Sequence, residues 1–360
     1  MSDTRQTPPR TPARPALRHP HKAPPQAGDL LKVAEGVLWL RMPLPFALDH
    51  INLWLLEDGD GWAIVDTGVA STLTRDLWEQ VMRQPRLGGR PVTRLFCTHF
   101  HPDHMGLAGW LCERFGIEMW TTLGEWATGM HLSLDTTDEF RAASVRFYQA
   151  AGFGPDLMEK VRSRGNAYAG RVAPIPRAYR RIVDGQEIRI GRGTWRVVVG
   201  QGHAPELAAL HCAEDGVLIS GDQILPRISP NVSLWPNEPE ADPLGLFLRS
   251  LQVFGALPRD TLVLPSHGLP FIGLHARVKE LADHHAERLA EALDACAGQP
   301  RSAMDLVPVM FPRPLDDHQL FFAIGEVLAH VRRLEVEGLL VRQVAADGVH
   351  RWTAATDSAG

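Results

Sequence analysis

Residues 97–106 read CTHFHPDHMG. His99, His101, Asp103 and His104 fall within six consecutive positions. Polar, titratable side chains at that density are costly to bury unless something compensates them, and a metal ion compensates all four together. The preceding stretch, VTRLFCT, is a short apolar run bounded by Pro91, which reads as a buried strand. The following MGLAGWLCERFG reads as a helix ended by Gly116. The cluster therefore sits just past the C-terminal end of a strand. On a continuous helix, positions two apart point away from one another. On a loop, His99 and His101 can aim at one point, and Asp103 and His104 at another. Neutral imidazole and carboxylate suit zinc, manganese or iron.

Further candidates lie downstream. VVVGQGH ends in His203, VLISGD in Asp222 and LVLPSH in His267. Each time an apolar strand runs into a small residue and then a potential ligand. With the first cluster, that event occurs four times, so these strand ends are expected to converge at one edge of a sheet.

The rest of the chain frames this site. Its 360 residues are enough for one large domain and a small one. A formal net charge of -5 gives no bulk electrostatic case for nucleic acid or an anionic membrane. Cys97, Cys112, Cys212 and Cys296 are widely spaced and form no Cys-x-x-Cys pair, which fits a reducing, cytoplasmic setting. No apolar run reaches membrane-spanning length. Residues 1–28 are rich in Pro and Arg, lack the apolar centre of a signal peptide, and are expected to be disordered.

Residues 37–68 read as three strands, followed by a helix with Ser71 or Thr72 as N-cap. Residues 122–180 break the rhythm with mostly helical patterns, an insertion suited to a lid, a pocket wall or a packing element. Strands resume near 180, with turn signals at Asp184-Gly185, Gly191–Gly193 and Asp215-Gly216 that space them as antiparallel hairpins. A long amphipathic helix carries His284 and His285, expected to be solvated. Beyond Gly298, two helices and a hairpin turning at Asp347-Gly348 suggest a small winged-helix-like domain over 299–360, against a main domain over 29–298. Its arginines are offset by acids, where a nucleic-acid-reading wing is expected to be more basic. Removing it is expected to spare the metal site.

In these motifs the sequence resembles the metallo-β-lactamase superfamily. THFHPDH matches its His-x-His-x-Asp-His signature, GQGH its Gly-His, SGD its bridging Asp, SHG its last His, and Asp66 in IVDTG a further recurring element. The likeness spans roughly residues 30–290, and the C-terminal part looks like the winged-helix tail of one branch. The resemblance implies an α/β fold, a four-layer αββα sandwich. It implies two divalent cations, zinc first, with iron or manganese as alternatives. His99, His101 and His203 would hold one, Asp103, His104 and His267 the other, and Asp222 would bridge them. Asp103 and Asp222 would serve catalysis around a metal-bridging hydroxide, and Asp66 would orient a ligand or a motif-loop amide. The sequence departs from the family pattern at Leu207, where a second His is usual; His211 and Glu206 are the nearby polar residues.

The implied activity is metal-dependent hydrolysis of a small acyl substrate, a thioester or lactone, as in glyoxalase II-like members. Alternatives are a ribonuclease or phosphodiesterase, an iron-dependent redox member, and a non-catalytic metal-binding protein. Tyr148, Tyr168 and Tyr179 in the insertion, and Asn231 in the Pro-rich loop after Asp222, are candidates to touch substrate. A homodimer is left open.

Overall fold

The computed structural model describes residues 17–45 and 48–355. Two β-sheets stack face to face. The first holds seven strands in chain order: β1 (Leu30–Ala34), β2 (Val37–Pro43), β3 (His50–Asp58), β4 (Gly61–Val65), β5 (Val92–Phe96), β6 (Met119–Thr121) and β7 (Arg180–Arg181). Pairing is antiparallel as far as β4 and parallel from there to β7. The second holds β8 (Glu187–Ile190), β9 (Gly193–Gly200), β10 (Leu207–Cys212), β11 (Val217–Gly221), β12 (Leu262–Pro265) and β13 (Phe271–Ile272), again in chain order. Here only β11 and β12 run parallel. The hairpins expected after residue 180 are the antiparallel series β8 to β11.

Both faces of each sheet are covered, so central strands are apolar throughout rather than alternating. In β2, Val37 and Trp39 point between the sheets, while Leu38 and Leu40 point to the outer helices. The inner layer joins Trp39, Trp54 and Phe96 of the first sheet to Trp195, Val197 and Ile219 of the second. Helices α1 (Thr72–Met82), α2 (Pro102–Met105) and α3 (Ala108–Phe115) cover the first sheet, with Ser71 as the N-cap of α1. The insertion supplies α4 (Leu123–Leu134), α5 (Asp138–Ala150) and α6 (Pro155–Arg164). Helices α7 (Pro243–Gly255) and α8 (Leu274–Cys296) cover the second sheet through Phe247, Phe254, Leu274 and Leu281. The result is the αββα layering. No helix among the described residues is long and apolar enough to cross a membrane.

The chain then adds α9 (Ala303–Met310), α10 (Asp317–Val336) and the hairpin β14 (Leu340–Val344) with β15 (His350–Ala354). These do not pack as a separate body. Their core includes Ile324, Val327 and Trp352, together with Tyr148, Phe153 and Met158 of the insertion, Leu234, and Ala292 and Cys296 of α8.

Two expectations are corrected, and one strand is added. Of the tail read as disordered, residues 1–16 lie outside the described residues, but 17–28 are held in place. Arg18 exchanges both main-chain hydrogen bonds with Ile272 of β13, at 3.0 and 2.9 Å, and Gly28 N–H donates to Arg41 O. Sheet edges offer unpaired main-chain groups to any segment that can reach them, which composition cannot register. Strand β1, short and half-buried, carries too weak an alternation to be read from sequence. Finally, His285 is fully buried rather than solvated, its Nδ1 lying 3.2 Å from Nε2 of His330 on α10.

Candidate metal centre

The loops leaving β4, β5, β9, β11 and β12 meet at one edge of the two sheets. Strand β5 delivers Thr98 and His99, then Pro102 starts the short turn α2 that carries Asp103 and His104. His203, Asp222 and His267 follow β9, β11 and β12. The small residues before two of them have a conformational reason. Gly202 has φ +96° and Gly221 φ +55°, and a Cβ on Gly202 would lie 2.4 Å from Pro243 O. Only glycine takes such angles without cost, and the sharp turn swings the next side chain inward.

The seven side chains form a closed set. Ligand-capable atoms of His99, His101 and His203 lie within 4.8 Å of one another; so do those of His99, His104 and Asp222, and those of Asp103, His104 and His267. His99 Nε2 is 2.9 Å from His101 Nδ1 and 3.3 Å from His203 Nε2. His267 Nε2 is 3.3 Å from Asp103 Oδ2. His104 Nε2 and Asp222 Oδ1 are buried without a hydrogen-bond partner. Orphaned buried polar atoms are rare, and an imidazole nitrogen and a carboxylate oxygen facing one centre are both atoms that a cation could satisfy.

The far side of three of the rings is anchored. His203 Nδ1 donates to Asn231 O at 2.8 Å, and His267 Nδ1 donates to His50 O at 2.9 Å. His104 Nδ1 donates to Asp66 Oδ2 at 2.8 Å. Each bond fixes the orientation of its ring and turns Nε2 toward the centre. Asp66 is the one non-glycine residue with positive φ (65°) among the described residues. That unfavourable backbone aims its carboxylate at the motif loop, where Oδ1 also accepts from Thr98 N–H at 2.7 Å.

Charge divides the cluster. Burial and neighbouring histidines hold His99 well below its ordinary value; burial likewise takes His101 down to about 3 and lowers His203. These three are neutral donors. His104 resists its burial because Asp103, Asp66 and Asp222 surround it, and it rises to about 9. His267 rises for the same reason, against Asp222 and Asp103. Asp103, despite burial, falls to about 2 beside His104 and His267, and Asp222 is held well below the ordinary carboxylate range. This half is a pocket of negative potential in which protons occupy the place a cation could take.

The metallo-beta-lactamase superfamily pattern matches residues 47–267. The chain belongs to that superfamily. A pattern described as metallo-beta-lactamase-like, C-terminal domain, matches residues 289–355. The chain is 48% identical to a beta-lactamase domain protein from Burkholderia ambifaria, covering 94% of this chain and 98% of that one, with a TM-score of 0.88. A metallo-beta-lactamase family protein from Thermus thermophilus is 32% identical, covering 89% and 99%, with a TM-score of 0.75. An uncharacterized protein from Aquifex aeolicus is 27% identical over 176 residues, 49% of this chain and 68% of that one. The chain is thus a metallo-beta-lactamase family hydrolase with a His/Asp cluster that could hold a metal ion.

The other candidates fare differently. Tyr148 is buried in the C-terminal core against Phe153 and Phe321. Tyr179 stacks on Trp126 at 4.7 Å and packs the base of the insertion instead of touching the seven side chains. Tyr168 does reach the motif loop, but its hydroxyl donates to Phe100 O at 2.6 Å. Asn231 acts through its carbonyl, while its side chain Oδ1 accepts from Ser233 at 2.7 Å. Leu207 packs in the outer core of the second sheet. His211 pairs across from Leu218 and Arg196 at the far end of β10, so it does not replace the missing family His. Glu206 accepts from Gly124 N–H at 2.8 Å in the first turn of α4.

Two supporting residues escaped sequence reading. Glu125, fully buried on α4, accepts from Phe100 N–H at 2.8 Å and Glu206 N–H at 2.6 Å. Burial pushes its carboxyl up to about 8 against those two bonds. Asn52, fully buried on β3, donates to Pro265 O and Gly268 O, both at 2.8 Å, and so sets the turn that carries His267. A lone amide inside the apolar run INLWLL was the available signal for Asn52. Glu125 had none.

Proposed function

We propose that this chain is a two-metal hydrolase of ester-type bonds, with acyl thioesters and lactones as its substrate class. The observation that carries the reading is the position of Asp222. Its Oδ2 is 3.5 Å from His203 Nε2, while its Oδ1 is 3.5 Å from His104 Nε2 and 3.6 Å from His267 Nε2. One carboxylate thus faces both ligand sets. In this reading His99, His101 and His203 hold one divalent cation, Asp103, His104 and His267 hold the second, and Asp222 gives an oxygen to each. The nitrogen and oxygen donors suit zinc, with iron or manganese as alternatives.

Bound there, such cations supply Lewis acidity and draw the pKa of a coordinated water toward neutrality. The protein's part is preorganisation. The bonds to Asn231 O, His50 O and Asp66 keep three rings from turning, and the ionised carboxylates of Asp103 and Asp222 supply the negative charge that would hold the cations in place. Thioesters come first because the motif set resembles glyoxalase II-like members. Nucleic acid is disfavoured by the C-terminal arginines, which are already paired: Arg342 with Glu240 and Glu335, Arg333 with Asp242 and Glu337, and Arg351 with Asp347.

The test is turnover by metal-loaded protein of an acyl thioester, a lactone and single-stranded RNA, each with and without chelator. Chelator-sensitive cleavage of the thioester or lactone is expected, with RNA left intact. RNA cleavage that falls steeply with salt, and no acyl turnover, would replace this reading with a nuclease.

A further inference from the structure

A cleft of about 430 Å³ opens between α5, the loop over residues 234–240, α10 and the β14–β15 hairpin. None of the seven ligand side chains lines it. The volume falls in the range of small-molecule sites, roughly 300–1,000 Å³. Its apolar wall comes from Phe147 on α5, Leu234 on the loop and Leu328 on α10.

Three guanidinium groups surround that wall: Arg146, Arg332 and Arg342. Two are locked in a network with two carboxylates. Arg342 makes a two-pronged contact with Glu240 at 2.8 and 2.9 Å and reaches Glu335 Oε1 at 3.1 Å. Arg332 binds Glu335 at 3.0 Å and Glu240 O at 3.0 Å. Arg146 is exposed on α5 and has no carboxylate partner among the described residues. Three cations against two acids leave one positive charge uncompensated beside an apolar surface. The cleft is also lined by Trp352, which is 3% exposed and whose Nε1 has no hydrogen-bond partner. Native structures keep few buried donors unpaired, and a bound group is one way such a donor is satisfied.

We propose that this cleft binds a small organic anion, a carboxylate or phosphate monoester carried on an apolar body. The anion would pair with Arg146, since guanidinium is suited to both head groups. The apolar body would lie on Phe147, Leu234 and Leu328. The site is separate from the metal centre and does not depend on what that centre hydrolyses.

Calorimetric titration of the full-length, metal-loaded protein tests this with octanoate and octyl phosphate, using octanol and inorganic phosphate as controls. Both amphiphilic anions are expected to saturate one site, with each control at least about tenfold weaker because it lacks one of the two contacts. Arg146→Glu should weaken both by about tenfold or more, and Ala150→Trp should abolish binding by filling the cleft. Arg146→Glu lies on an exposed helix face and should leave metal content and thermal unfolding unchanged. Asp222→Ala should leave anion binding intact. The proposal is overturned if neither anion saturates, or if octanol binds as well as octanoate. It is equally overturned if Arg146→Glu has no effect while Asp222→Ala removes binding, which would place the anion on the metal centre.

Discussion

Glu125 and Tyr168 hold the same residue from both sides. Glu125 accepts the N–H of Phe100 at 2.8 Å, and the Tyr168 hydroxyl donates to the carbonyl of Phe100 at 2.6 Å. Phe100 is the residue between His99 and His101. The helical insertion therefore fixes the main chain that sets the angle between two candidate ligands, with no side chain of its own among them.

This clamp predicts a selective loss. Glu125→Gln places an amide NH₂ against one of two main-chain donors, and Tyr168→Phe leaves Phe100 O without its partner. Each should lower affinity at the His99/His101/His203 position by about 10- to 100-fold, the usual effect of a partner outside the ligand set. Competition with a metal indicator reads this directly. Equal weakening of both positions, or of neither, would contradict the clamp.

Asp222 facing both ligand sets predicts a different pattern. Asp222→Ala should release most bound metal and reduce turnover by more than about 100-fold, beyond the effect of an outer partner. Metal analysis after gel filtration, beside rate measurements, provides the check. Full occupancy and rate in the variant would remove Asp222 from the bridging position.

Deletion of residues 299–360 is expected from sequence to spare the metal site. The packing predicts otherwise. Phe153, Met158, Leu234, Ala292 and Cys296 lie in one core with α9, α10 and the hairpin. Exposing large side chains of this kind costs roughly 1.5–3 kcal/mol each, against about 5–15 kcal/mol for a whole domain. The truncated chain should aggregate or melt well below the full protein. A truncated chain with the full-length melting temperature and metal content would show the core to be dispensable.

The buried pair His285 and His330 predicts acid sensitivity. Burial holds His285 down at about 2 and His330 at about 4. The folded values lie below the unfolded value of about 6.5, so the unfolded chain binds protons first. Stability is complete above about pH 6.5 and falls as pH drops toward 4, by about 1.4 kcal/mol per group per pH unit. Replacing both by Phe or Leu should flatten that slope in urea titrations between pH 5 and 7.5. An unchanged slope would locate the acid sensitivity elsewhere.

The legible part of the fold was the part written locally. VLWL, INLWLL and VTRLF are apolar enough to declare central strands buried on both faces. THFHPDH declares a ligand loop because its residue types have no cheaper explanation. His285 on α8 was misread because a helical repeat shows which face a residue occupies but not what a distant helix, here α10 with His330, brings against it. Leu17 and Arg18 were hidden by a composition that averages over the whole N-terminal stretch.

The layered α/β fold was implied by the resemblance of the motifs to the superfamily; the sequence by itself determined the seven candidate ligands and the order in which strands deliver them. These last properties rest on short-range pattern and side-chain chemistry, which neighbours in the chain carry together. Only the tertiary structure decided that Asn231 acts through its carbonyl, that Glu125 and Tyr168 hold Phe100, and that the C-terminal helices share a core with the insertion. Each of these is a contact between residues far apart in the chain, whose geometry is set by how sheets and helices pack and leaves no mark in the local sequence.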